Sequence, residues 1–119
     1  MRPRQNLLRS FENAFRGLGH ALKERNFFIQ FMIGVVVVAG SFALNLTRDE
    51  KIIIFVVTAL VLGAEMVNSA IEKVLDHLSP SHNPEIAEIK EILAGAVLLF
   101  AVLSVVVGML IFGPALLKF

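Results

Sequence analysis

Long apolar runs and short polar ones alternate along the chain, and three of the apolar runs reach bilayer length. Phe27 to Leu46 holds only Gln30, Ser41 and Asn45 as clearly polar members. Ile52 to Ile71 is interrupted by Glu65, Asn68 and Ser69, and Ile92 to Phe112 carries no charge. Each run is about 20 residues, roughly 30 Å as a helix, which matches the hydrocarbon core. Water is absent there, so a spanning segment has to satisfy its own backbone hydrogen bonds, as a helix does. A barrel strand would be about half as long and would alternate. The pattern predicts transmembrane helices over about 27–46, 52–75 and 91–112. The first lies too deep in the chain and is too long for a cleaved signal peptide, and is read as retained.

A fourth element precedes the spans. Leu7, Phe11, Phe15, Leu18 and Leu22 recur at spacings of four, four, three and four, with Arg9, Glu12, Asn13, Arg16 and His20 elsewhere. That places the apolar residues on one face of a helix over about 5–22. A basic amphipathic helix joined to a span is expected to lie in the membrane interface. The turn cluster Ser79-Pro80-Ser81-His82-Asn83-Pro84 separates the second and third spans. The expected fold is therefore all-α and integral to the membrane: three transmembrane helices and an N-terminal surface helix, in one domain over residues 1–119.

Composition agrees. The 119 residues are 56% hydrophobic and only 18% charged, where a soluble domain carries about a quarter of its residues charged. With no cysteine, disulfide scaffolds and thiolate metal sites are excluded. No glycine loop of a known phosphate-cradling pattern is present. Arg2, Arg4, Arg9, Arg16, Lys23 and Arg25 all precede the first span, which predicts a cytoplasmic N-terminus. Arg48 and Lys51 in the loop after that span are offset by Asp49 and Glu50. Three spans then return residues 72–91 to the cytoplasm and leave Lys118 outside.

The chemistry concentrates in Glu65-Met66-Val67-Asn68-Ser69-Ala70-Ile71-Glu72-Lys73-Val74-Leu75-Asp76. Positions 65, 68, 72 and 76 fall within about 80° of one another on a helix, so Glu65, Asn68, Glu72 and Asp76 form one polar stripe. Glu65 is the costly member: an ionised group inside a span costs on the order of 3 kcal/mol even on a mild insertion scale. Topology brings Glu24, Glu72, Lys90 and Glu91 to the same membrane level. Clustered carboxylates repel unless a cation is present, which suggests a divalent metal, and Lys90 could supply the point charge a phosphate needs. Small residues at Gly63, Ala64, Ser69, Ala70, Ala94, Gly95 and Ala96 would permit close helix packing. His20, His77 and His82 have no zinc-like spacing and are read as solvated.

The segment from Glu65 to Asp76 resembles the E-x-x-N-[ST]-A-I-E-x-x-x-D signature of the prokaryotic diacylglycerol kinase and undecaprenol kinase family. Glu24-Arg25-Asn26-Phe27 resembles the element that opens that family's first span. Ile89-Lys90-Glu91 with Ala94-Gly95-Ala96-Val97-Leu98-Leu99 resembles its K-D-x-x-A-G-A-V-L-L element. The resemblance covers almost the whole chain, in order. It implies a homotrimer of the bacterial inner membrane, with active sites shared between protomers and no nucleic-acid partner. Its reaction would be transfer of the γ-phosphate of ATP, with Mg2+, to a lipid alcohol. Residue by residue it implies Glu65 as catalytic base and Glu24 and Glu72 as metal ligands. It places Glu24, Glu72, Asp76, Lys90 and Glu91 around the nucleotide and Asn68 among the active-site polar groups. Two departures stand out: Glu91 replaces the family's usual Asp, and the stretch from Arg16-Gly17 to Glu24 is one residue shorter than usual. The short elements resemble the undecaprenol kinase branch more than the diacylglycerol one. From the residues alone, a proton-coupled transporter using Glu65 as its relay and a non-catalytic membrane scaffold remain as alternatives.

Overall fold

The computed structural model describes residues 3–79, 81 and 83–118, and the side chains from residue 6 onward within them. Arg2, Pro80 and His82, and the side chain of Arg4, lie outside that description. Four helices follow one another: α1 (Pro3–Leu22), α2 (Arg25–Ala43), α3 (Arg48–Leu78) and α4 (Pro84–Leu117), with no strand among the described residues. The last three are long and apolar enough to cross a membrane. The 31 residues of α3 and 34 of α4 make helices of about 46 and 51 Å, so both continue beyond a hydrocarbon core of about 30 Å.

Local chemistry sets the helix ends, and it moves them from the bounds that hydropathy predicts. The span expected to run to residue 46 ends at Ala43. Asn45 adopts a left-handed conformation (φ 52°), the Leu46 amide donates to the Ser41 carbonyl at 3.2 Å, and the Asn45 amide to that of Phe42 at 3.2 Å. This pair of bonds closes a helix C-terminus in a Schellman motif, and Leu46 just beyond it is buried. The second span, expected from residue 52, starts at Arg48 because Thr47 and Glu50 form a capping box. The Glu50 amide donates to Thr47 Oγ1 at 3.2 Å, and the Thr47 amide to Glu50 Oε1 at 2.9 Å. Arg48 and Lys51 therefore belong to the first turn of α3, not to a loop. The third span, expected from residue 91, begins at Pro84 because Asn83 Oδ1 accepts from the amides of Glu85 at 2.9 Å and Ile86 at 3.4 Å.

The helices pack as an antiparallel bundle with α3 against both α2 and α4. Its apolar core is thin: Ala21, Phe27, Leu46, Ile54 and Leu75 are the buried hydrophobic residues among those described. α4 buries no residue at all. On α1, Leu7, Phe11, Phe15 and Leu18 are exposed, so these apolar positions of the amphipathic helix are not covered by the described residues. Such surfaces suit lipid or other protein, not water.

Of the small residues expected to permit close packing, Ser69 meets Glu24 at the start of α2, but the tightest helix crossing falls elsewhere. Gly63 and Gly95 have nothing near the position a Cβ would take, and Ala70, Ala94 and Ala96 are exposed. The tight crossing is at Gly34 of α2, where a Cβ would come within 2.9 Å of Thr58 Cγ2 on α3. At Gly40 the approach is looser: a Cβ there would be in ordinary contact with the Phe112 ring of α4, at 3.6 Å.

Candidate active site

The polar stripe of α3 runs from inside the bundle to its polar end, and its burial changes in step. Glu65 and Asn68 are each 9% exposed, Glu72 is half-buried and Asp76 is exposed. Helical periodicity puts the four on one face. What buries the first two is α2, which crosses α3 in an antiparallel register fixed at two points. At one, Gly34 lies over Thr58 and Leu62. At the other, Glu24 meets Lys73 at 3.1 Å. Between those points Gln30 of α2 lies beside Glu65. Phe27 is buried, and Gln30 lies close enough to act on the Glu65 carboxylate. Glu24 and Glu72 are both close enough for their charge to be felt at Glu65. Three carboxylates thus converge where α2 and α3 leave the apolar region.

Glu24 occupies the N-cap position of α2, but its side chain makes no cap bond. It turns to α3 instead. The Ser69 hydroxyl first, and then Lys73, hold its carboxyl below the usual range for a glutamate, against a smaller opposing effect of burial. Lys73 and Ser69 were not among the residues expected at the site. Their signal was present, since both lie on the flank of the stripe one helical turn apart, but nothing in the sequence says which helix that flank meets.

Lys90 bonds to Asp76 across the α3–α4 turn, and the two are 37% and 62% exposed at the side chain. With Ser79, Ser81, Asn83, Ile86 and Ala87 they line a cavity of about 220 Å³. Of the residues expected around a nucleotide, the structure gathers Asp76 and Lys90 here and Glu24 and Glu72 nearer Glu65. Glu91 is exposed and does not line the cavity, because the next residue on a helix points about 100° away. His20 and His77 are exposed. Among the described residues no three His, Cys, Asp or Glu side chains are arranged to hold a metal ion by themselves. Two carboxylates with phosphate oxygens completing the shell remain the arrangement a magnesium ion commonly takes.

A second, larger space opens between the spans. About 720 Å³ of groove is enclosed by α2, α3 and α4, apolar nearly throughout, from Phe112, Gly113 and Leu116 at one end to Gln30 at the end nearest Glu65. Hydropathy gave no sign of it, because a helix that is apolar on every side does not reveal which face stands back from its neighbours.

A bundle with carboxylates at the apolar–polar boundary, a small polar cavity outside that boundary and an apolar groove inside it can bring a water-borne anion to a membrane-borne hydroxyl. Known proteins agree with that geometry. The sequence profile of the prokaryotic diacylglycerol kinase family matches residues 12–112. An undecaprenol kinase of Bacillus subtilis (strain 168) is 36% identical over 109 residues, covering 91% of this chain and 89% of that one. A diacylglycerol kinase of Synechocystis sp. is 37% identical over 115 residues, covering 95% of this chain and 66% of that one. A profile match spanning all three membrane helices, and relatives of this identity over most of the chain, establish that the protein belongs to the prokaryotic diacylglycerol kinase family and is a lipid kinase.

Proposed function

We propose that the protein transfers the γ-phosphate of ATP to undecaprenol at the cytoplasmic face of a bacterial inner membrane, with Glu65 as the general base. The observation that carries this reading is the burial of Glu65 and Asn68 at the inner end of a stripe whose outer end, at Asp76, reaches water. A lipid hydroxyl lies near the headgroup level, and a carboxylate at that depth can take its proton. Phosphoryl transfer leaves little covalent work to the protein, so positioning and charge supply most of the catalysis. The hydroxyl oxygen bonds to the γ-phosphorus, the bond from that phosphorus to the bridging oxygen breaks, ADP leaves, and the hydroxyl proton passes to Glu65. Asp76, Lys90, Ser79 and Ser81 bind and orient the nucleotide from the aqueous side.

The residues present fit a magnesium ion. Glu24 and Glu72 are hard oxygen donors, and Glu24 already holds a cation, the Lys73 ammonium, at 3.1 Å. These two glutamates would hold the ion, which would supply charge neutralisation on the phosphates. Lys73 would then release Glu24, a small cost for an exposed pair.

The active form is a homotrimer with shared sites. A cavity of about 220 Å³ is below the usual size of a site for a ligand as large as a nucleotide, so a neighbouring surface completes it. The exposed Ala94, Gly95 and Ala96 of α4 and the exposed Gly63 and Ala70 of α3 are small residues available for such packing. Basic residues ahead of α2 support a cytoplasmic N-terminus and an outer C-terminus. Undecaprenol is preferred over diacylglycerol because the Bacillus subtilis relative named for it aligns over 89% of its own length, and the other over 66%.

The test is transfer of label from γ-labelled ATP to each lipid by the purified protein in mild detergent. Phosphorylated undecaprenol formed faster than phosphatidic acid supports the reading. The reverse order assigns diacylglycerol as substrate, and no labelled lipid with either refutes lipid phosphorylation. Magnesium titration of Glu24→Gln and Glu72→Gln tests the metal ligands: an unchanged requirement in both would remove them from that role. Crosslinking in mild detergent tests the assembly, and a monomer with full activity would refute shared sites.

A further inference from the structure

We infer that Lys73 has two alternative partners: it competes with a divalent cation for Glu24 and, displaced from that carboxylate, binds the phosphates of the nucleotide. The inference rests on the lipid-kinase reading above and adds a residue to it. Lys73 Nζ lies 3.1 Å from Glu24 Oε1, and the two side chains are 65% and 30% exposed. Ser69, one helical turn before Lys73, acts on the same carboxylate. Lys73 thus stands at one of the two glutamates proposed to hold magnesium. Two cations on one carboxylate repel each other, and an exposed pair of this kind is weak, so the divalent ion prevails.

Charge and position say where the displaced ammonium goes. Glu24, Glu65 and Glu72 converge here, and a nucleotide adds a triphosphate. One divalent ion leaves that assembly negative, so phosphoryl transfer calls for further positive charge at the phosphates. Two lysines among the described residues are ion-paired at this end of the bundle, Lys90 with Asp76 and Lys73 with Glu24. Lys90 lines the polar cavity. Lys73 stands between that cavity and the two glutamates. Along the axis of α3, Glu72 and Asp76 are about 6 Å apart, and Lys73 lies between their levels. Phosphates reaching from the cavity toward Glu65 pass that level. An ammonium is a compact charge on a flexible stem, so Lys73 can exchange one oxygen partner for another without movement of either helix. The exchange keeps it paired throughout.

The test compares Lys73→Met, which removes the charge and keeps an unbranched side chain, with Lys73→Arg, which keeps the charge. Three ligands are titrated into each protein in mild detergent. They are Mn2+ alone, read by the electron paramagnetic resonance of the free ion, a non-hydrolysable ATP analogue with Mg2+, and AMP. The two partners give effects of opposite sign. Lys73→Met should bind Mn2+ about two- to fivefold more tightly, the scale of one exposed ion pair. The same variant should bind the ATP analogue about tenfold more weakly, as for loss of a charged hydrogen bond. AMP, which lacks the outer phosphates, should bind as it does to wild type, and Tm should change little. Lys73→Arg should restore binding of the analogue. Equal affinity of wild type and Lys73→Met for the analogue overturns the inference. So does a Mn2+ affinity that is unchanged or lower. A loss shared equally by AMP and the analogue also overturns it, by making Lys73 structural. A wild type that phosphorylates no lipid overturns the lipid-kinase reading and the inference with it. An active wild type beside a Lys73→Met that binds all three ligands equally well overturns the inference alone.

Discussion

Replacing Glu65 with glutamine separates the base from its surroundings. The carboxylate is 9% exposed, beside the Gln30 amide and within the field of two further carboxylates, Glu24 and Glu72. Glutamine keeps the side-chain volume and one carbonyl oxygen, and exchanges the ionisable oxygen for an NH2. Three contributions to stability change in the same direction. The cost of an ionised group in the span, on the order of 3 kcal/mol, disappears. Repulsion from Glu24 and Glu72 is relieved. The new N–H lies near two orphaned acceptors, Gln30 Oε1 and Asn68 Oδ1, and pairing one of them contributes about 1 kcal/mol. Protonation in the wild type and water entry would each reduce the first figure, so the expected net stabilisation is about 1 to 3 kcal/mol. Turnover moves the other way, because removal of a general base costs about a hundredfold or more. The assay pairs denaturant or thermal unfolding in detergent with lipid phosphorylation and nucleotide binding. Phosphorylation at near wild-type rate would show that Glu65 is not the base. A destabilised Glu65→Gln would show that the carboxylate holds the bundle together and that burial here is structural.

Two further substitutions test the packing around the site. Lys73→Met should weaken the response of stability to acid. The folded-state pKa of Glu24 is held below its ordinary value, so the stabilisation exists above the ordinary carboxylate range and is lost as pH falls through the lowered value. The part owed to Lys73 is below about 1 kcal/mol for so exposed a pair, and unfolding profiles of the two proteins that coincide across the acid range would refute it. Gly34→Ala should destabilise by about 1 to 3 kcal/mol, because its Cβ would lie 2.9 Å from Thr58 Cγ2 on a stiff β-branched side chain; an unchanged Tm would show that α2 and α3 can separate there freely.

Much of the architecture could be read locally. A bilayer-length helix satisfies its own hydrogen bonds and has to be apolar, so three runs of hydropathy are enough to name three spans. The helix ends were also written in the chain, in Thr47-x-x-Glu50, in Asn45 and in Asn83-Pro84, although hydropathy alone misses them because capping is polar chemistry at a boundary. The stripe from Glu65 to Asp76 was legible because helical periodicity fixes which residues of one helix share a face.

What lies across from that face was decided by the tertiary structure. Lys73 against Glu24, Gln30 against Glu65 and Lys90 against Asp76 each join residues of different helices, and helical periodicity carries no information on register between helices. Polar patterning supplies that information in a soluble bundle, where one face is apolar and points inward. In this protein α4 is apolar on every side and buries nothing, and the close contact falls at Gly34, not at Gly63 or Gly95. Lipid is as apolar as a neighbouring helix, so hydrophobicity does not choose between them, and shape complementarity at Gly34 and Gly40 decides which faces meet.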